Sequence, residues 1–231
     1  MRPFLLGVHE VTQGQWLRVM DANPSRRRSG ADVNGISYDD WNPVESVNWF
    51  EASRFAASIW ARLPGEDELE CAGRGGSPRE CWFDGRRAEA LEWMENLADE
   101  AAQTVHNLAA RLPWNDGFPD HAPVGSFQPN GLGLFDVGGN VSEWALDYYT
   151  PNRAISTEPA EARQSDRWRQ RVQRGGNWGE PPQQLRASYR KYQRPDYAAM
   201  WLGMRLARTW MSRAEVDAAA AIVAVSRRTS G

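Results

Sequence analysis

The side chains most able to hold a transition metal or to act as a nucleophile are two cysteines and three histidines. Cys71 and Cys81 could form a disulfide, but nothing else in the sequence indicates a disulfide-rich scaffold. His9, His106 and His121 are scattered and lack the H-x-x-x-H spacing of a helical metal site. The sequence therefore gives no indication of a zinc or non-haem iron centre.

Aromatic side chains are the other unusual feature of the sequence. The 231 residues include 12 Trp, together with 20 Gly and 14 Pro. So many indole rings predict either a core closed by large flat side chains or a surface rich in aromatic anchors. The Gly and Pro content indicates many loops, which is not typical of a helical bundle or a doubly wound sheet.

Charge and hydropathy argue against nucleic acid and membranes as partners. The net charge is −3, so no global basic field would attract nucleic acid. The short basic clusters at Arg26–Arg28 and Arg227–Arg228 are interpreted as solvated surface. No apolar run approaches the roughly 18 residues of a membrane span, and Phe4–Leu6 is too short for a signal peptide. The cytoplasm is the expected compartment.

Local sequence patterns predict the helices of the chain. Thr12 and Gln15 fit a capping box, and Asn48 with Glu51 fits another, at the start of an amphipathic helix that Leu63–Gly65 stops. Further helices are expected over residues 66–72, 86–93 and 212–225.

Strands are expected near the end of the chain, over Arg171–Trp178 and Leu202–Ala207, and Gly131–Asp136 is expected to be a short buried strand or turn. The segment from about Gly73 to Pro129 is mostly irregular, which is unusual in a compact domain unless something such as a bound ion pins it.

No repeat or linker marks a second domain. The expected organisation is one domain over residues 1–210, followed by a C-terminal helix and tail over residues 211–231.

A series of short motifs, in order along the chain, resembles the formylglycine-generating-enzyme (sulfatase-modifying factor) family. These motifs are Glu10-Val11-Thr12 with Gln15-Trp16, Pro43–Val47, Arg62-Leu63-Pro64, Ala122–Gly125, Pro129–Asp136, Gly139–Trp144, Arg174–Trp178 and Gly203–Ala207. The resemblance extends from about Phe4 to Arg208. It implies an α+β, C-type-lectin-like fold that is rich in loops, with a mixed antiparallel sheet and two main helices. The family usually begins with a further strand before the Glu10 motif, and because Met1 lies so close to it, we expect that strand to be missing or supplied by something else.

The same resemblance implies calcium as a cofactor. One implied site is formed by Asp136, Gly139, Val141 and Glu143. The other is formed by the side chains of Asn96 and Asp116 with the carbonyls of Leu97 and Phe118. Carboxylate and carbonyl oxygens form the hard cage that calcium prefers, and glycines let the chain curl around it. The alternative is that Asp136 and Glu143 cap turns or pair with arginines.

The positions that carry copper chemistry in this family are altered here. Copper-dependent members resemble this chain but have two cysteines after the Gly-Gly motif, whose thiolates hold Cu(I). Counting from Gly175-Gly176, those positions are Glu180 and Leu185, and neither side chain can replace a thiolate. Asn177 and Ser142 likewise stand where a serine and an aromatic residue are expected. Copper oxidase activity is therefore not expected, and the sulfoxide-forming branch is not expected either, because its histidine-rich helical domain has no counterpart in the sequence.

A third group of relatives, which includes variable proteins of diversity-generating retroelements, uses the fold as a binding scaffold. The corresponding segment here, residues 175–205, is rich in Tyr, Trp and Arg, the residue types enriched at binding hot spots. The expected ligand face comprises Asn177, Trp178, Glu180, Gln184, Tyr189, Arg190, Tyr192, Tyr197 and Trp201. The alternative is that Trp178, Tyr189 and Trp201 are core or rim aromatics. Arg205 and Trp144 are expected to be structural.

Together these features predict a calcium-stabilised, non-catalytic recognition domain that binds a protein or peptide. Two alternatives remain open: a modifying enzyme with non-cysteine chemistry, in which Glu180 is an acid or base, and a subunit of a larger effector assembly. An enzyme would place a concave pocket and a group of strongly shifted pKa beside Glu180, whereas a binding module would place a shallow aromatic face there.

Overall fold

Short elements joined by long connections make up the fold. The computed structural model describes residues 3–33, 35–78, 91–108, 112–151 and 169–210. Its helices are α1 (Gln13–Leu17), α2 (Trp49–Ser58), α3 (Glu66–Arg74) and α4 (Glu100–His106). Its strands are β1 (Phe4–Leu6), β2 (Asp32–Val33), β3 (Ile36–Ser37), β4 (Ser142–Tyr148), β5 (Arg171–Arg174), β6 (Lys191–Gln193), β7 (Leu202–Gly203) and β8 (Ala207–Thr209). The loop-rich α+β fold predicted from the sequence is confirmed. No helix in these ranges is both long and apolar enough to cross a membrane.

The central sheet has four strands in the order β6-β5-β4-β7. Strand β4 pairs antiparallel with β5 and parallel with β7, so the sheet is mixed, as predicted. β5 and β6 are antiparallel, with Val172 opposite Tyr192. Two further pairs, β1 with β8 and β2 with β3, form separate two-stranded sheets. Strand β4 was not predicted from the sequence, although it is the strand around which the sheet is built.

Both capping boxes predicted from the sequence are present. The Thr12 hydroxyl accepts from the Gln15 N–H at 3.1 Å, and the Gln15 side chain accepts from the Thr12 N–H at 3.1 Å. Asn48 and Glu51 make the same reciprocal pair at 3.0 and 2.9 Å. Each box satisfies two N–H groups that would otherwise lack partners in the first helical turn. These local bonds are the reason that α1 and α2 begin where the sequence indicates.

The other helices differ from the sequence predictions or lie outside the described residues. Helix α3 extends to Arg74 and is closed by Gly75 at φ +57°, a left-handed conformation that glycine adopts without strain. Helix α4 was not predicted; it begins after Asp99, whose carboxylate accepts from the Ala102 N–H at 3.0 Å. The helix expected over 86–93 lies mostly outside the described residues, and the helix expected over 212–225 lies entirely outside them.

A strand does precede the Glu10 motif, contrary to the sequence expectation. Strand β1 pairs antiparallel with β8, with Leu5 opposite Arg208. The prediction that this strand is missing was wrong, because its partner lies near the other end of the sequence and no local pattern reveals the pairing. The long strands expected over Arg171–Trp178 and Leu202–Ala207 are also interrupted. For example, β5 ends at Arg174, where Gly175 turns the chain at φ +74°.

Aromatic rings close the main core, as their number in the sequence predicts. Trp16 stacks on Phe55 with ring centroids 4.9 Å apart, and both side chains are buried. Trp144 on β4 is 0% exposed and donates its indole N–H to the Val47 carbonyl at 3.0 Å, which confirms its structural role. A second apolar cluster contains Leu91, Leu97, Leu112, Trp114 and Leu185. Other tryptophans, among them Trp41, Trp60 and Trp93, are exposed, and their use as binding anchors stays a prediction.

Candidate functional site

The loop that leaves β5 carries the candidate site. Gly176 packs directly against the Gly138 carbonyl, where a Cβ atom would lie only 2.4 Å from the oxygen. The Gly176 N–H donates to that carbonyl at 2.8 Å, and the Trp178 N–H donates to the Asn140 carbonyl at 3.0 Å. Only glycine permits this close approach of two backbones. The loop is thereby fixed against the Gly139–Trp144 motif, which brings Glu180 beside Ser142 at the start of β4.

Four polar side chains meet at this loop. Lys191 Nζ lies 2.9 and 2.8 Å from the two Glu180 carboxylate oxygens and 2.5 Å from Ser142 Oγ. Asn177 Nδ2 donates to the same hydroxyl at 3.1 Å. The Lys191 and Glu180 side chains are only 16% and 19% exposed. We name Ser142, Asn177, Glu180 and Lys191 the Glu180 cluster; it satisfies all three donors of the ammonium group.

The electrostatics of the cluster follow from burial. Burial lowers the pKa of Lys191, and the Glu180 carboxylate opposes this effect. At the rim, burial and then the charge of Glu180 raise the pKa of Tyr189. The Gln184 amide, oriented with its nitrogen toward Glu180, donates to both carboxylate oxygens at 2.9 and 2.8 Å. The cluster can therefore present polar donors and acceptors to a ligand, but it contains no soft sulfur ligand for Cu(I).

The second position that corresponds to a copper-binding cysteine is closed by packing. Leu185 is 5% exposed and belongs to the cluster of Leu91, Leu97, Leu112 and Trp114. A partly buried ion pair therefore stands at one of the positions where the resemblance implies a thiolate, and a core leucine stands at the other. The absence of a copper centre stays a prediction.

Lys191 was not among the predicted site residues. The amino-acid composition could have indicated it, because the chain has 27 Lys and Arg residues and Lys191 is the single lysine among them. A compact ammonium fits between two oxygen groups where the wide planar guanidinium of arginine would not. A lone lysine in an arginine-rich protein was therefore a usable indication of a special environment.

The structure separates the nine predicted ligand-face residues into groups. Gln184 and Tyr189 interact with Glu180, which pairs with Lys191. Asn177 and Trp178 are 3% and 4% exposed, and the Trp178 ring packs 4.5 Å from the His106 ring. For Trp178, the alternative reading as a core aromatic is therefore the one that the structure supports.

The remaining four predicted residues lie outside the cluster. Arg190 is held by Glu66 through a bidentate ion pair and donates to the Thr150 carbonyl at 2.9 Å. Tyr197 packs against the main core. Tyr192 and Trp201 are 43% and 38% exposed, but Tyr192 is on β6 and Trp201 precedes β7, at opposite edges of the central sheet. Three strand spacings separate those edges, about 14 Å, so the nine residues do not form one continuous face.

The predicted calcium ligands around Asn96 leave oxygen atoms without partners. Asn96 Oδ1 and Asp116 Oδ2 are both buried and accept no hydrogen bond. The two segments lie side by side, since the Asp116 N–H donates to Asp99 at 2.7 Å. Burial and the nearby negative charge of Asp99 raise the pKa of Asp116 to about 7. Buried oxygens without partners cost free energy unless a cation or water satisfies them, so these two oxygens remain available as ligands of a cation.

The Asp136 set is arranged differently. Glu143 Oε1 accepts from Arg205 Nε at 2.8 Å, and Asp136 Oδ2 accepts from the Gly125 N–H at 2.7 Å. Glu10 lies in the same cluster; burial and the charge of Asp136 raise its pKa well above the usual value. Arg205, which is 0% exposed, already supplies positive charge among these carboxylates, as the arginine-pairing alternative predicts. The structural role predicted for Arg205 is confirmed.

Calcium at either site stays a prediction, but the fit of the residues differs between them. Asp136 Oδ1 also lacks a partner, yet the Glu143 carboxylate beside it is occupied by Arg205. Within the described ranges, no group of three or more His, Cys, Asp or Glu side chains is placed to hold a metal ion. The Asn96 set would supply one carboxylate, one amide oxygen and two backbone carbonyls. Among the described residues, no arginine occupies its Asn96 Oδ1 and Asp116 Oδ2 atoms, so we favour it over the Asp136 set as the calcium site.

Comparisons with known proteins agree with this geometry. A family model described as the sulfatase-modifying factor enzyme 1-like domain matches residues 1–210. The chain is 31% identical over 201 residues to a formylglycine-generating enzyme of Streptomyces coelicolor, covering 83% of this chain and 60% of that enzyme. It is also 31% identical over 176 residues to the inactive C-alpha-formylglycine-generating enzyme 2 of Mus musculus, covering 71% of this chain and 48% of that protein.

A solved structure resembles the fold. The variable protein 1 of Treponema denticola superposes with a TM-score of 0.70 at 23% identity, covering 90% of this chain and 84% of that chain. At this identity the likeness concerns the fold alone. The chain spans 60% and 48% of the lengths of the two curated relatives, so the activities of those whole proteins are not transferred to it.

Proposed function

The chain belongs to the family of sulfatase-modifying factor enzyme 1-like domains, and within that family we propose that it is a non-catalytic recognition domain that binds a protein or peptide. The Glu180 cluster carries the proposal. The positions that hold copper thiolates in the oxidases are here a Glu180–Lys191 ion pair at 2.8 Å and the buried Leu185. This arrangement supports the proposal because neither Glu180 nor Leu185 supplies a thiolate for copper.

The binding surface is centred on the rim of the cluster. Glu180, Gln184 and Tyr189 combine acceptors, an amide and a phenol around one rigid loop, and such groups give adaptable polar contacts beside an aromatic anchor. The loop is held by the Gly176 and Trp178 backbone bonds, so little order needs to be gained on binding. Asn177 and Trp178 support the surface from below rather than contact the ligand.

Calcium is part of the proposal as a stabilising ion at the Asn96 set. Asn96 and Asp116 would supply side-chain oxygens, and Leu97 and Phe118 would supply carbonyls. A hard cation there would hold together two segments of the long irregular region. The ion would have a structural role, and ligand recognition is assigned to the protein side chains.

The proposal is tested by copper binding and by peptide selection on the full chain. We expect purified protein titrated with Cu(I) to show no tight site and no oxygen uptake. Peptides selected from a displayed library should lose about tenfold or more in affinity for a variant carrying Tyr189→Ser and Gln184→Ala. Trp41→Ser is the matched control, because Trp41 is 63% exposed on a different loop. Stoichiometric Cu(I) with oxygen uptake, or a selected set in which no peptide loses affinity for the double variant, would overturn the proposal.

One observation favours a modifying enzyme as the second candidate. The Lys191 pKa is lowered beside Glu180, and groups with shifted pKa values are common in catalytic sites. The same selected peptides distinguish the two functions when their masses are measured after incubation with the protein. A recognition domain leaves the peptide mass unchanged. A mass change that disappears in Glu180→Gln would assign catalysis to this cluster.

A further inference from the structure

A second surface is formed where the end of α2 contacts the β1–β8 pair, as Arg208 bonds to the Ile59 and Trp60 carbonyls. Leu5, Trp60, Arg62, Arg208 and Trp210 line an open groove of about 520 Å³, which we name the Trp60 groove. Trp60, Trp210 and Leu5 are 89%, 56% and 51% exposed. Leu5 and Arg208 are directly opposite each other across the two strands. No residue of this groove belongs to the Glu180 cluster.

The backbone at Trp60 is unfavourable for a tryptophan. The Ala61 N–H donates to the Ala56 carbonyl at 2.9 Å and the Trp60 N–H donates to the Ala57 carbonyl at 3.1 Å, the bond pattern of a Schellman motif. Trp60 occupies the left-handed position of that motif at φ +58°, where glycine or asparagine is preferred. The residue therefore combines backbone strain with a nearly fully exposed indole. Neither feature stabilises the isolated domain, whereas both are explained if the indole contacts a partner.

Charge in the groove is not balanced. Arg208 donates to the Trp60 carbonyl at 3.0 Å and to the Ile59 carbonyl at 2.9 Å, and no carboxylate in the described part of the chain pairs with it. Arg62, in contrast, is neutralised by Glu68 through two bonds of 2.6 and 2.7 Å. The groove thus presents one unbalanced guanidinium between exposed apolar side chains.

We propose that the Trp60 groove docks a peptide segment of another protein in which a carboxylate is flanked by apolar side chains. The carboxylate would pair with Arg208, since guanidinium and carboxylate form strong charge-assisted bonds. The flanking apolar groups would cover Trp60 on one side and Leu5 with Trp210 on the other. Exposed Trp and Arg side chains grouped in this way have the composition of a binding hot spot.

The test uses capped synthetic peptides with the same Trp, Leu and Phe positions and a central Glu, Gln or Lys, measured by fluorescence polarisation on the full chain. The Glu peptides should bind about tenfold or more tightly than the Lys peptides. Arg208→Glu should reverse that order. Arg194→Glu is the matched control, because Arg194 is an exposed arginine on a different loop and its side chain is 61% exposed; it should bind as the wild type does.

Trp60→Gly separates binding from folding. Glycine relieves the left-handed backbone, so the thermal unfolding midpoint of this variant should rise while its affinity for the Glu peptides falls about tenfold or more. Equal binding of Glu and Lys peptides, no binding to the wild type, or full binding to Trp60→Gly overturns the proposal. Self-association in sedimentation that Trp60→Gly abolishes, without peptide binding, also overturns it and assigns the groove to a second copy of this chain.

Discussion

At the scale of single residues, burial decides the charge of His121. Its ring is 2% exposed, and Nδ1 faces the Asn42 amide nitrogen, a donor, at 3.1 Å. Protonation would set one N–H against another and place a charge in the core. Burial, assisted by the charge of Arg27 and opposed by that of Asp120, lowers the His121 pKa to about 4. The neutral ring is therefore the folded form at neutral pH.

This residue predicts a specific dependence of stability on pH. The folded pKa of about 4 lies below the unfolded value of about 6.5, so the stability that His121 contributes is present above about pH 6.5 and is lost as the pH falls toward 4. His121→Gln should flatten the curve in this window by up to about 1.4 kcal/mol per pH unit. Urea unfolding at several pH values between 4 and 8 measures the effect. Parallel curves for the variant and the wild type would show that His121 does not titrate as stated.

At the scale of elements, the segments around α4 depend on how their buried oxygens are satisfied. Asp99 caps α4 with one oxygen and accepts the Asp116 N–H with the other, which brings two acidic side chains together. Asn96 Oδ1 and Asp116 Oδ2 lack partners beside them. A cation would satisfy these oxygens and offset the repulsion between Asp99 and Asp116.

Removal of calcium tests this part of the fold. We expect EDTA to lower the thermal unfolding midpoint of the wild type and added CaCl₂ to restore it. At 100 times the dissociation constant, a bound ion contributes about 2.7 kcal/mol. Asp116→Asn should abolish the response to EDTA, and in EDTA it should be at least as stable as the wild type, because it removes the charge of a buried carboxylate whose Oδ2 accepts no hydrogen bond from any described residue.

Asp196→Asn, which changes an exposed acidic residue of a different loop, should keep the wild-type response to EDTA. A wild-type midpoint that EDTA does not change would argue against calcium at the Asn96 set.

At the scale of the whole molecule, Arg205 joins parts of the chain that are distant in sequence. Its guanidinium donates to Glu143 on β4 at 2.8 Å, to the Gly7 carbonyl after β1 at 3.0 Å and to the Phe135 carbonyl at 2.7 Å. These partners lie up to 198 positions away in sequence. One fully buried side chain thus connects the N-terminal strand, the Gly131–Asp136 turn and the central sheet.

Replacement of Arg205 should therefore weaken the whole domain. Arg205→Leu leaves the buried Glu143 carboxylate without its partner, and loss of one member of a buried ion pair costs about 3–5 kcal/mol. Arg205→Lys should also destabilise, since an ammonium cannot reach three separate acceptors as a planar guanidinium does. Urea unfolding measures both variants. Arg194→Leu, which removes an exposed ion pair with Asp196, should leave the unfolding midpoint unchanged.

Features that depend on neighbouring residues could be predicted from the amino-acid sequence alone. The capping boxes of Thr12 with Gln15 and Asn48 with Glu51 link positions three apart, so their residue types suffice to place α1 and α2. The ordered motifs indicated the family and its loop-rich fold, and the resemblance implies that Glu180 and Leu185 stand at the two cysteine positions.

Which distant residues meet became clear from the folded structure. The pairing of β1 with β8, the central place of β4 and the contact of Lys191 with Ser142 join residues separated by between 23 positions, for Tyr148 and Arg171, and 205 positions, for Phe4 and Thr209, and no local bond exists there to be recognised. The predicted ligand face was divided for the same reason, since Tyr192 and Trp201 are near in sequence but lie on opposite edges of the sheet. Local hydrogen bonds are encoded by adjacent side chains, whereas strand order and burial are settled by the packing of the whole chain.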